Sequence, residues 1–344
     1  MWSAQLGDGF SAVAVSGGKL YTMGNRAGRD TIFCFDAATG RPLWQYGYTC
    51  GGGDYGGPRC TPTVDSGRVY TISREGHAVC VNASNGRPVW QKNLAQIARA
   101  ETPRWGFAGS PLILGKLVLY NVGTAGVALD KTNGREAWIS GPAAAGYSSP
   151  VAFTAGGQQG VAFFVGWGLV GLNGANGKPF WQYRWQTDFD VNAADPIFSG
   201  DTVFISSNYN RGCALLRVGG GKAGIVWENR NMRNHFNSCI LIGGYLYGND
   251  QNTLKCMELK TGRERWQARG MGRGGLIAAD GKLIAMNERG ELFVAAANPD
   301  RYTEIARARV MNGTCWTQPV IANGLIYCRS HEGELVCLDV RGRR

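Results

Sequence analysis

The sequence predicts an all-β fold, an eight-bladed β-propeller of four-stranded antiparallel blades, and three observations predict it. A turn pattern, Asp/Asn-x-x-Thr/Asn-Gly-Arg/Lys-x-x-Trp, recurs along the chain. A strand–glycine–strand unit occurs eight times, with the glycine at 18, 67, 115, 160, 200, 244, 281 and 324. Glycine is abundant, 52 of 344 residues, and has no collagen period, so it marks many tight turns between short strands. Four short strands in each repeat, separated by turn residues, describe propeller blades.

Taken in order, each element has a physical reason. The turn appears as Asp36 to Trp44, Asn82 to Trp90, Asp130 to Trp138, Asn173 to Trp181 and Glu258 to Trp266, with a degenerate copy ending at Trp227. Its acid or amide can accept bonds from its own backbone two residues on, and its glycine supplies positive φ. Its tryptophan gives each blade an apolar plate against its neighbour and an N–H within reach of a turn carbonyl. The rungs Trp2, Trp44, Trp90, Trp138, Trp181, Trp227 and Trp266 are 42, 46, 48, 43, 46 and 39 residues apart. An eighth rung falls near Ala306, after a diverged turn. The last repeat stops after its third strand at Asp339, and the first begins with a tryptophan strand at Trp2. The N-terminal strand is therefore expected to complete the C-terminal blade and close the ring without an open edge. One propeller domain over 1–344 is expected, in a monomer, with no helix of useful length.

Composition narrows the function classes. Hydrophobic residues make up 44% and charged residues 18%, which excludes disorder. The net charge is +11, yet the basic residues are scattered, and Arg41, Arg87, Arg135, Lys178 and Arg263 fall in the same repeat turn. This reads as a solvated surface, not a nucleic-acid face. The short tail cluster Arg341-Gly342-Arg343-Arg344 is the exception. No apolar run reaches the ~18 residues that a membrane helix needs, and no signal peptide is visible ahead of the first repeat element. Four of the ten cysteines, Cys34, Cys80, Cys256 and Cys337, recur at one apolar strand position and read as small core residues. Cys50 and Cys60 flank a glycine-rich loop and could close a disulfide, which would indicate an oxidising compartment.

The turn motif and its copies resemble the quinoprotein (PQQ-type) β-propeller repeat family, and the resemblance covers essentially the whole chain. That family includes quinone-dependent alcohol and polyvinyl-alcohol dehydrogenases and the outer-membrane assembly lipoprotein BamB, a scaffold without cofactor. Trp105-Gly-Phe-Ala-Gly-Ser-Pro111 and Gly146-Tyr-Ser-Ser-Pro150 are similar to a bacterial branch of secreted or periplasmic members. The resemblance implies a periplasmic or secreted protein, with PQQ and calcium as the cofactors of an enzymatic member. The dehydrogenases carry two adjacent cysteines beside the quinone, and this chain has no Cys-Cys pair.

In a propeller, the loops entering the innermost strands line one channel mouth. Residues there that break the repeat's own pattern need a reason beyond the fold. Just before the innermost strand stand Ser11, Thr61, Ser110, Ser149, Asp195, Ser238, Gly274 and Gln318, and Asp195 is the only carboxylate among them. Two positions earlier stand Gly9, Arg59, Ala108, Tyr147, Ala193, Phe236, Gly272 and Trp316, with Arg104, Trp105, Asn192, His235, Asn237 and Arg273 nearby. Arg59, Arg104, Trp105, Tyr147, Asn192, His235, Asn237, Arg273 and Trp316 are the expected ligand contacts. Arginine forks match carboxylates or sulfates and rings stack on flat faces, so the ligand class is anionic aromatic or sugar-like. In an enzyme, Asp195 would be the general base, raised by burial; otherwise it caps a turn or pairs with an arginine. Asp188, Asp190 and Asn192 look like the start of a calcium loop, but lack its glycine and terminal glutamate. His77, His235 and His331 are too dispersed for a zinc triad, with His77 and His331 expected at exposed turns. Two broad readings follow: a scaffold binding a ligand or protein partner, or an enzyme, either a quinone-dependent oxidoreductase or a carbohydrate-active enzyme.

Overall fold

The computed structural model describes residues 1–342. Arg343 and Arg344 of the basic tail lie outside the described residues. Eight four-stranded antiparallel sheets form the ring. Each is a simple meander, so each blade's first strand is innermost and its fourth outermost. Blades 1 to 7 span 14–49, 63–93, 112–139, 151–184, 197–229, 240–269 and 276–309. Blade 8 is composite. Val320–Ala322, Leu325–Arg329 and Glu334–Asp339 supply three strands, and Trp2–Gln5 supplies the fourth, with Trp2 opposite Cys337. The ring closes at this seam. There the fully buried Arg329 guanidinium donates to the carbonyls of Ser11 (2.9 Å), Met23 (2.6 Å) and Gly7 (3.3 Å), tying blade 8 to blade 1.

The tryptophan ladder builds the blade-to-blade contact. Trp2, Trp44, Trp90, Trp138, Trp227 and Trp266 each donate their indole N–H to a carbonyl in the next blade's turn, at 2.7–3.1 Å. The turn glycine serves twice. Gly86 has φ +72, a left-handed conformation, and the Trp44 ring lies 2.5 Å from where its Cβ would stand; a side chain there would be strained and would displace the plate. Trp181 is the exception. Blade 5 replaces the long turn with a tight hairpin, Gly219 opposite Lys222, and the Trp181 N–H is buried without a partner.

The recurring cysteines now have a reason. In blades 1 to 7 the third strand carries a bulge against the fourth, and the residue opposite each tryptophan plate is Cys337, Cys34, Cys80, Ala128, Gly171, Leu215 or Cys256. Apart from Leu215, these side chains are small and leave room for the ring. In blade 7 the plate shrinks to Ala306 and the opposite residue grows to Val294, which offsets a small part of the lost volume.

Two expectations need correcting, the place of the blade 4 turn and the Cys50–Cys60 disulfide. In blade 4 the first turn lies at Gly156–Gly157. Gly160 sits inside the strand Gln158–Val165, where the Phe153 ring occupies its Cβ direction. A one-turn helix, Leu94–Ala98, links blades 2 and 3, capped by Asn93 and ended by left-handed Arg99; it is too short to show a helical period. Cys50 and Cys60 are not bonded to each other, and all ten cysteines are buried thiols.

Candidate functional site

The loops that join one blade's fourth strand to the next blade's first strand meet at one face, together with the turns between second and third strands. They enclose a cavity of about 330 Å³ at the channel mouth. Its floor is a relay of hydrogen bonds between neighbouring blades. The Thr61 N–H donates to Ser110 Oγ (3.0 Å), Ser110 N–H to Ser149 Oγ (3.1 Å), Ser149 N–H to Asp195 Oδ1 (2.7 Å) and Asp195 N–H to Ser238 Oγ (2.9 Å). Asn237 continues the relay with its amide on the Arg273 and Trp316 carbonyls. Thr317 then hands on to Phe10 of the next blade.

Asp195 thus does the repeat's serine job with a carboxylate. Its Oδ1 replaces a serine oxygen, and the group faces the cavity. Burial pushes its pKa up to about 6, against the smaller opposing effect of the bonds from Ser149. No arginine pairs with it among the described ion pairs, so neither capping of a turn nor arginine pairing describes its place.

Above the relay stands an aromatic collar. Tyr147 meets Trp105 (5.9 Å between centroids), Trp105 meets Phe189 (6.4 Å), and Phe189 meets Tyr209 (6.0 Å). Tyr209 meets His235 (5.6 Å), His235 meets Phe236 (4.8 Å), Phe236 meets Trp316 (5.2 Å), and Phe10 stacks on Trp316 (5.6 Å) and His331 (4.4 Å). Cations lie on this collar. Arg104 sits over the Trp105 and Phe189 rings at 5.2 and 5.5 Å, and Arg59 over Phe10 at 5.6 Å, each a favourable cation–π contact. Arg59 is held by the carbonyls of Tyr55 (2.8 Å) and Gly57 (3.0 Å), and burial pushes its pKa down to about 10, with Arg74 adding to the effect. Arg273 is exposed on the cavity wall. His235 is pushed down to about 4 by burial and by Arg273, so it is neutral at pH 7, with Nε2 3.3 Å from the Tyr209 hydroxyl.

Asp195, Arg59, Trp105, Tyr147, His235, Asn237, Arg273 and Trp316 therefore line one cavity. Arg104 lies at its rim, on the collar. Asn192 does not reach it. That side chain is wholly buried beneath the mouth, donating to the Val165 (2.8 Å) and Trp185 (3.1 Å) carbonyls, and its oxygen accepts from Ser207 Oγ (2.7 Å). Asn192 therefore does not join Asp188 and Asp190, which are exposed, while its oxygen accepts from Ser207. His77 and His331 are half-buried, not exposed; His331 stacks on the collar and its Nε2 lies 3.2 Å from the Gly56 carbonyl.

Sequence reasoning missed Phe10, Tyr55, Phe189 and Tyr209. Three of them have left-handed backbones, φ +52 at Tyr55, +63 at Phe189 and +55 at Tyr209; Tyr55 and Phe189 sit in loops between blades, and Tyr209 in the turn between the second and third strands of blade 5. Tyr55 and Phe189 are 55% and 61% exposed. Bulky residues strained into αL and left in water are a functional signal. In sequence, only the place of Tyr55 and Phe189 in long inter-blade loops could have shown it.

The family described as outer membrane protein assembly factor BamB matches residues 29–268. No curated protein matches the chain in sequence. Among solved structures, BamB from Moraxella catarrhalis superposes with a TM-score of 0.74 at 15% identity, over 100% of this chain and 98% of that one. Quinohemoprotein alcohol dehydrogenase from Comamonas testosteroni gives 0.74 at 12% identity, over 100% of this chain and 76% of that one. Sqt1 from Saccharomyces cerevisiae gives 0.72 at 11%, over 99% and 98%. Likeness at these identities shows the fold alone.

Proposed function

The chain belongs to the outer membrane protein assembly factor BamB family of quinoprotein-type propellers, and on that premise we propose that it is a binding scaffold whose channel mouth holds a small, flat anionic or sugar-like ligand. The observation that carries this reading is the aromatic collar with arginines on it, around a cavity of about 330 Å³. That volume is at the lower end for ligand pockets, roughly 300–1,000 Å³. Rings supply stacking faces, Arg59 and Arg273 supply charge, and Asp195 supplies an acceptor for a ligand hydroxyl. The family's description as an outer-membrane assembly factor supports a periplasmic or secreted setting, and a protein partner docking at the same mouth is compatible with it.

The second reading is a quinone-dependent oxidoreductase, favoured by the likeness to the Comamonas alcohol dehydrogenase. A flat polyanion such as the quinone would suit the arginines and rings. The metal that accompanies it would not find a donor set. Asp195 is the single carboxylate lining the cavity, its Oδ1 is committed to Ser149, and the Asn192 oxygen to Ser207. The residues therefore do not fit a quinone–metal pair. Carbohydrate hydrolysis with Asp195 as general base would call for a second carboxylate in the cavity wall, and none lines it.

A thermal-shift screen separates these readings. Flat aromatic carboxylates or acidic oligosaccharides should raise Tm without calcium, by about 2.7 kcal/mol of stabilisation at a hundredfold excess over Kd. A shift requiring quinone plus calcium, with bleaching of a dye acceptor on adding alcohol, would instead establish the oxidoreductase. No shift with any anion sinks the binding reading.

A further inference from the structure

A second group of side chains, outside the cavity, lies between blades 1 and 2. Cys50 ends the fourth strand of blade 1, while Glu75 and His77 sit at the turn into the third strand of blade 2. One donor atom from each lies within 4.8 Å of the other two. Neither the serine relay nor the collar uses these groups. The Asp30 side chain is completely buried. Its Oδ1 accepts from Asn25 Nδ2 (2.7 Å), and its Oδ2 is buried without a partner. The Cys50 thiol is within hydrogen-bonding reach of it, and Glu75 and His77 are its charged neighbours. His77 Nδ1 is also buried and unpartnered.

The electrostatics of this point are incomplete. Two carboxyl groups and a thiol converge, and none is in an ion pair with Lys or Arg among the described residues. A buried polar atom without a partner is costly, and a cation is the partner that satisfies all of these groups together.

We propose that Cys50, Glu75 and His77, backed by Asp30, form a site for a zinc-type divalent cation. The donor set selects the metal: thiolate and imidazole suit zinc, whereas calcium and magnesium take oxygen ligands. Ligands of a tetrahedral ion with bonds of about 2.0–2.3 Å stand about 3.5 Å apart, so donors within 4.8 Å of one another have to draw together by about 1 Å to meet it. The site has a structural consequence. Glu75 already accepts the Gly51 N–H at 2.9 Å, and Cys50 opens the loop that carries Tyr55 and Arg59 to the mouth cavity. A bound cation therefore clamps the root of that loop to blade 2. This holds whatever the mouth binds.

The test is a zinc titration of chelator-treated, full-length protein by calorimetry, with cobalt substitution read by absorbance and hydrogen exchange read over 50–60. The wild type should take up about one equivalent, show a thiolate-to-cobalt charge-transfer band and slow its exchange in that loop. Cys50→Ser should remove the band. His77→Gln and the half-exposed Glu75→Gln should each weaken zinc binding by about tenfold or more. Cys315→Ser, in the loop before blade 8, should bind as the wild type does. A wild type that takes up no zinc, or a Glu75→Gln and a Cys50→Ser that bind as tightly as the wild type, overturns the proposal. Should Cys50→Ser not fold, Glu75→Gln decides alone.

Discussion

Replacing Asp195 with serine restores the residue type that Ser110, Ser149 and Ser238 place in the same relay. The serine hydroxyl can still accept the Ser149 N–H, so the inter-blade bond survives. What disappears is a carboxylate whose pKa is raised from 3.8 to about 6. The folded state holds that proton more tightly than the unfolded chain. Ionisation therefore costs stability: nothing below about pH 4, increasingly up to pH 6, and a constant amount above. Two pKa units correspond to roughly 3 kcal/mol. The group is open to the cavity on one side, so about 1–3 kcal/mol is the expected gain for Asp195→Ser at pH 7.5. With about 2.1 cal/mol/K of unfolding entropy per residue, the 344-residue chain gains about 1 °C of Tm for each 0.7 kcal/mol, so Tm should rise by about 1–4 °C. Paired melts at pH 7.5 and pH 4 check this, with the difference vanishing at pH 4. A lower Tm for the variant at pH 7.5, or a gap independent of pH, would refute the burial argument.

Other outcomes follow from the same contacts. Trp90→Phe loses the bond to the Lys131 carbonyl, whereas Trp181→Phe removes an N–H that has no partner. The first should cost about 1–2 kcal/mol more than the second in denaturant melts. Gly86→Ala meets both a left-handed backbone and the Trp44 ring, whereas Gly67→Ala, at φ +75, meets open space. The first should lower stability by about 2 kcal/mol beyond the second. Trp2→Ala removes the plate at the ring-closing seam and should cost about 3–5 kcal/mol. Trp316→Ala removes a central face of the collar and should weaken binding of a flat anion by about tenfold or more while leaving Tm of the free protein nearly unchanged.

The fold was legible because the repeat states it several times over. The glycine-turn-tryptophan pattern encodes a steric relation that recurs blade after blade, and Trp2 marks the seam by having a plate without its turn. Blade 4 misled at Gly160, since two further glycines lie just before it and only strand pairing tells which of them turns. The recurring cysteines could be recognised as core residues, but their partnership with the plates depends on a bulge that no local pattern displays. In the site, Asp195 stood out because seven sister positions are uncharged, yet its role as a serine substitute is visible only once neighbouring blades are side by side. Asn192 misled because a polar residue next to a mouth residue can point down into the carbonyls as readily as up into the cavity. Phe10, Tyr55, Phe189 and Tyr209 come from four separate segments, so their convergence is a property of the closed ring.

The central claim is that the mouth cavity is an anion-binding site built from rings and arginines. Calorimetric titration of a flat aromatic polycarboxylate into the wild type and into Arg273→Gln tests it most directly. One saturable site in the wild type, weakened by about tenfold or more in the variant and by added salt, is the predicted result. An absence of saturable binding, or equal affinity in both proteins, would contradict it.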